Sequence, residues 1–120
     1  MQLFELRRLM AEREQCNKAW MEFVRAPSLS MGLYYLKSGE EDLQKPHTED
    51  EVYYVVNGRA VFRAGTEQWS VEPGTLILVE RSVEHRFSHI TEDLTLLVFF
   101  APPEGSRAER QVEELPKRPS

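Results

Sequence analysis

The stretch Pro46-His47-Thr48-Glu49-Asp50-Glu51-Val52-Tyr53-Tyr54-Val55-Val56-Asn57-Gly58 sets a histidine and three acidic residues ahead of a run of β-branched and aromatic residues. In an extended chain, residues two apart share a face, so His47, Glu49 and Glu51 can all point into one space, with Tyr53 and Val55 next on that face. Glu51 aimed inward is then a buried carboxylate that needs a cation. Downstream, Val71-Glu72-Pro73-Gly74 opens a turn, residues 75–79 read as a short apolar strand, and Val83-Glu84-His85-Arg86-Phe87 brings a second histidine to the start of another strand. Two imidazoles and a carboxylate on facing strands raise the question of a metal site.

Outward from these segments the chain reads as many short strands. Leu3, Leu6, Leu9 and Met10 recur at helical spacing, which predicts one amphipathic helix over residues 3–14. Residues 19–26 and 29–37 then read as strands divided by Pro27-Ser28, and further strand-sized runs fall at 52–56, 60–63, 68–71, 75–79, 85–89 and 94–101. Asn57-Gly58 is the pair favoured in a tight two-residue hairpin turn. Short strands at close spacing predict a sandwich or barrel. Beyond Pro102 the chain is charged, proline-containing and free of aromatics, so residues 104–120 read as a mobile tail.

Composition narrows the function classes. At 120 residues the chain is long enough for a sizeable core and too short for two ordinary domains. A net charge of -5 and a pI near 5.3 argue against nucleic acid or an anionic membrane as partner, while a small neutral or cationic ligand is not repelled. Cys16 is the sole cysteine, so no intramolecular disulfide forms, and no stretch approaches the roughly 18 apolar residues of a membrane span. The expectation is a soluble, cytoplasmic protein.

In order and spacing the two quoted segments resemble the two motifs of the cupin family. Gly39, His47, Glu51 and Gly58 fall on the first motif, and Lys45 stands where its first histidine belongs. Gly74 and His85 fall on the second, while Glu80, Ser82 and His89 replace its proline, second glycine and asparagine. The resemblance covers about residues 30–102 and implies an all-β fold: a cupin jelly-roll or conical barrel over residues 29–103, preceded at 1–28 by a helix and first strand and followed by a flexible tail at 104–120. It also implies His47, Glu51 and His85 as ligands of a divalent transition metal. That set suits iron(II), with manganese, nickel, zinc and copper left open.

Some neighbouring residues have competing readings. Glu49 and Asp50 read as surface charges on the loop entering the strand, although Glu49 has the parity of an alternative ligand. His89, four residues after His85 and so on the same strand face, reads either as a further ligand or base or as a surface histidine. Tyr34, Tyr35, Tyr53, Phe62, Phe87 and Phe99 supply the aromatic residues expected of a core. Two functions follow: a metal-dependent enzyme, dioxygenase or isomerase, acting on a small polar molecule, or a non-catalytic module that binds or senses a small ligand. Trp20, Glu22 and Val24 share one face of the first strand and Met21 and Phe23 the other, so both faces carry apolar bulk. This predicts a homodimer that pairs through residues 20–36.

Overall fold

The computed structural model describes residues 1–44 and 46–106; Lys45 and residues 107–120 lie outside the described residues. One helix, α1 (Leu6–Cys16), precedes six strands: β1 (Trp20–Arg25), β2 (Ser30–Leu36), β3 (Asp50–Ala64), β4 (Glu67–Val71), β5 (Leu76–Val79) and β6 (His85–Ala101). The helix starts later than its apolar spacing predicts and ends at Asn17 in the left-handed region, φ 51°. Leu9 and Arg13 face inward, with the Arg13 guanidinium 4.0 Å above the Tyr35 ring. No described helix is long and apolar enough to cross a membrane.

The sheet is antiparallel in the order β1-β2-β6-β3-β4, and β5 pairs with the first part of β3. It is jelly-roll-like without closing: β5 lies against Glu51–Tyr54, β4 against Ala60–Ala64, and among the described residues these two strands pair only with β3. The predicted strands at 52–56 and 60–63 are one strand, β3, and those at 85–89 and 94–101 are one strand, β6.

The predicted hairpin at Asn57-Gly58 is therefore corrected. The pair lies inside β3, where the register against β6 shifts at Val55/Asn57, Asn57/Arg59 and Arg59/Val61. Gly58 has φ +99°, and a Cβ there would meet the Asp93 carbonyl oxygen at 2.3 Å. The glycine serves a bulge pressed against β6, not a turn.

Alternation along β3 buries Glu51, Tyr53 and Val55, as parity predicts. Tyr53 and Val55 join Phe62, Phe87, Leu94, Leu96, Val98 and Phe100 in one core cluster. Of the aromatics expected there, Tyr53, Phe62 and Phe87 belong to it and Tyr34 packs against it, whereas Tyr35 hydrogen-bonds exposed Asp93. The first residues assigned to a mobile tail are held in place. Glu104 N–H donates to Ser30 Oγ at 2.9 Å, Gly105 N–H donates to Glu49 Oε1 at 3.1 Å, and the Arg25 guanidinium donates to the Glu104 carbonyl at 2.9 Å. The rest of that tail lies outside the described residues.

Candidate functional site

Glu51 is the second residue of β3, in register with Phe100 of β6 and Val79 of β5, so strands flank it on both sides. Its inward side chain is 2% exposed. His85 opens β6, its ring beside Tyr53 and Phe62 with centroids 5.8 Å away in each case. Two of the predicted residues thus meet: His85 Nε2 lies 3.1 Å from Glu51 Oε1. That contact has the separation of an ion pair without the alignment of a hydrogen bond, because Glu51 Oε1 has no hydrogen-bond partner among the described residues. The imidazole nitrogen is instead engaged by Tyr53 Oη at 2.9 Å.

A chain of hydrogen bonds fixes where the protons sit. Asp42, 2% exposed, accepts from Gln44 Nε2 at 2.8 Å, which orients the Gln44 amide so that its Oε1 accepts from the Tyr53 hydroxyl at 3.0 Å. Tyr53 has one proton, and when it goes to Gln44, His85 Nε2 donates to the Tyr53 oxygen. His85 Nδ1 lies 2.8 Å from the Val83 carbonyl, which can only accept, so that nitrogen is protonated as well. With the Tyr53 proton on Gln44, both ring nitrogens act as donors, the arrangement of an imidazolium beside Glu51. The pKa of His85 agrees: burial opposes the charge, but Glu51, the Val83 carbonyl and Asp42 outweigh it and hold the group above its ordinary value of 6.5. Burial, then the Glu51 charge, keep Tyr53 neutral and able to donate.

Asp42 and Gln44 come from a segment that looks like a solvated acidic loop, Glu40-Glu41-Asp42-Leu43-Gln44, and nothing in its pattern marks them as site residues. Asp42 also accepts from the Tyr34 hydroxyl at 2.8 Å and from the Phe87 N–H at 2.9 Å, which seats the loop against the barrel. These contacts are tertiary and leave no periodicity to read.

A cavity of about 150 Å³ opens beside Glu51, walled by the rings of Trp20, Tyr34, Phe100 and His47 and by Glu104, with Gln44 at its edge. His47 lies against Phe100, centroids 4.7 Å apart, and its Nδ1 is 3.8 Å from Glu104 Oε2. The structure therefore places His47 and Glu51 on one pocket and His85 with Glu51 at its back. Among the described residues no three His, Cys, Asp or Glu side chains form a cluster able to hold a metal ion. Burial raises the Glu104 carboxyl above its ordinary range; His47 pulls it down, and Glu22, Glu49 and Glu51 push it up further. A larger cleft, about 580 Å³, lies between β4 and β5 around Trp69 and Leu78, lined by none of the predicted site residues.

One neighbouring expectation is corrected, and for His89 the surface alternative holds. Glu49 is not a surface charge: it is 2% exposed, bonded to Thr48 Oγ1 and to the Gly105 N–H, and it ties the segment after β6 to the barrel. His89 does not share the inward face of His85. Its φ of 47° interrupts the alternation, and its ring is exposed with Nδ1 3.2 Å from Ser88 Oγ. Asp50 is exposed as expected, its Oδ1 accepting from the Arg81 N–H at 2.9 Å.

Comparison with known proteins follows the same lines. A family model described as a cupin domain matches residues 32–100. An uncharacterized protein of Streptomyces coelicolor is 47% identical over 105 residues, covering 88% of this chain and 100% of that protein. Among solved structures, an RmlC-like cupin family protein with a double-stranded β-helix fold from Methanocaldococcus jannaschii superposes with a TM-score of 0.65 at 14% identity, over 75% of this chain and 84% of that one. The DMSP lyase DddQ from Ruegeria pomeroyi superposes with a TM-score of 0.60 at 21% identity, over 63% of this chain and 39% of the lyase. The structural likenesses speak for the fold alone.

Proposed function

Because the chain belongs to the cupin family, we propose that it is a small-molecule-binding cupin whose ligand sits in the pocket beside Glu51. The observation that carries this reading is a cavity walled by aromatic rings with the Glu51 carboxylate, 2% exposed, in its lining. The test is a ligand-observed NMR screen of small polar compounds against the full chain. Hits should compete with one another and be lost when Trp20→Ala opens the wall; a screen with no competing hits defeats the reading.

A second reading, a metal-dependent enzyme of dioxygenase or isomerase type, draws on a different observation. Donor atoms about 2.0–2.2 Å from one ion at right angles are about 3 Å apart, and His85 Nε2 and Glu51 Oε1 are separated by 3.1 Å. The Val83 carbonyl orients Nδ1 as outer partners of metal-bound histidines do. Glu51 and His85 would hold a divalent transition metal, while His47, on the pocket side, forms no three-residue cluster with them among the described residues. Such an ion supplies Lewis acidity or activation of oxygen. The chain's own part is to give up the His85 Nε2 proton and release Tyr53 from it, so affinity rises with pH. Elemental analysis of untagged protein tests this, together with chelator competition: His85→Ala should lose the metal and Glu49→Ala should keep it. Pairing of two copies through residues 20–36 completes the proposal, and light scattering that finds a monomer at micromolar concentration would end it.

A further inference from the structure

We infer that the pocket takes a small organic ammonium ion, the carbon body lying among aromatic rings and the charge facing Glu51 and Glu104. The inference rests on the small-ligand reading above and names its ligand class.

The pocket wall is built for rings. Trp20 on β1 pairs in register with Tyr34 on β2, and its indole meets Tyr34 and Phe100 edge-on, with centroids 6.5 and 5.9 Å away. The indole lies flat over β2 only because residue 32 is glycine: a Cβ at Gly32 would come within 2.3 Å of Trp20 Cη2. Aromatic walls of this kind favour a cation over a neutral group of the same shape, because the ring faces carry negative potential.

The charges point the same way. Glu51 and Glu104 line the cavity, and Glu22 and Glu49 stand close enough to Glu104 to raise its pKa. A carboxylate ligand would be repelled. Size sets the limit: an engineered cavity of about 150 Å³ accommodates benzene, so about six non-hydrogen atoms fit.

Three probes of one carbon skeleton test this against the full chain at neutral pH by calorimetric or NMR titration: 3-methylbutylamine, 3-methylbutanol and 3-methylbutanoate. The amine should bind at least tenfold more tightly than the alcohol, and the acid should not bind. Glu104→Gln, at a half-buried position, should weaken the amine at least fivefold and leave the alcohol unchanged. Equal affinity for amine and alcohol, preference for the acid, or an unaltered amine affinity in Glu104→Gln would overturn the ammonium assignment while leaving a small-ligand pocket in place. Failure of all three probes would overturn the assignment and count against the pocket itself.

Discussion

Replacing Tyr53 by phenylalanine removes one oxygen from the centre of the site and leaves the packing of the ring in place. The ring is fully buried, with Phe62 and Phe87 at 6.0 and 5.0 Å between centroids, so the variant isolates the polar contribution. Two partners lose it: Gln44 Oε1 at 3.0 Å and His85 Nε2 at 2.9 Å. Each buried group left unpartnered costs about 1–3 kcal/mol. Gln44 is only half-buried and sits at the lower end of that range, so the sum is about 3 kcal/mol. That is a large part of the roughly 5–15 kcal/mol that holds a domain of this kind together, and it corresponds to a fall in Tm of about 10 °C. Urea unfolding of both proteins at pH 6, fitted with a common m-value, measures the difference. His85 should also lose its proton at lower pH in the variant, because Nε2–H has lost its acceptor, and NMR titration of the imidazole reads this directly. A destabilisation below about 0.5 kcal/mol, or an unchanged His85 pKa, would refute the proton assignment along the Asp42–Gln44–Tyr53–His85 chain.

The raised pKa of His85 makes stability depend on pH. A folded-state value above the ordinary 6.5 stabilises the protein fully below pH 6.5, and the gain is lost as pH rises through the folded-state pKa. The groups facing the ring are Glu51, Asp42 and the Tyr53 hydroxyl, so urea midpoints should fall from pH 6.5 upward, and His85→Gln should flatten that slope; a flat native profile contradicts the imidazolium. Gly32→Ala should cost about 1–3 kcal/mol by overpacking and swing the Trp20 indole out of the pocket, seen as a change in tryptophan fluorescence. Gly58→Ala should cost more than Gly32→Ala in the same unfolding assay, since its obstacle is the main chain of Asp93 and Leu94 and its φ of +99° is strained for alanine.

How far the sequence could be read depended on whether a residue's environment was local or tertiary. The inward direction of Glu51 followed from parity, because β3 keeps its alternation from Glu51 to Val55 between two partner strands. His89 defeated the same argument, since a single left-handed residue turns the side chain outward and parity carries no sign of it. Asn57-Gly58 has the local chemistry of a turn, yet its partner is the distant Asp93 carbonyl, and pairing with β6 converts the turn into a bulge. Asp42, Gln44 and Glu104 belong to the site through contacts 9 to 74 residues away along the chain, in segments whose composition reads as solvated loop and tail.

The long ladder between β3 and β6 carries a consequence for the order in which the molecule assembles. Its inner end pairs Ala64 with His85, 21 residues on, after β3 and β4 have met across Gly65; its outer end pairs Asp50 with Ala101, 51 residues on. Closing the shorter loop first costs about 0.8 kcal/mol less chain entropy, and each further pair then forms at the end of an existing ladder. Zippering from Ala64 outward fixes His85 early and brings Glu51, opposite Phe100, into place near the end, together with the β2 pairs that begin at Ser30 and Phe100. The two halves of the ion pair thus belong to opposite ends of the folding sequence. On this order Glu51 N–H should exchange before His85 N–H in native-state hydrogen exchange, and equal protection of the two would contradict it.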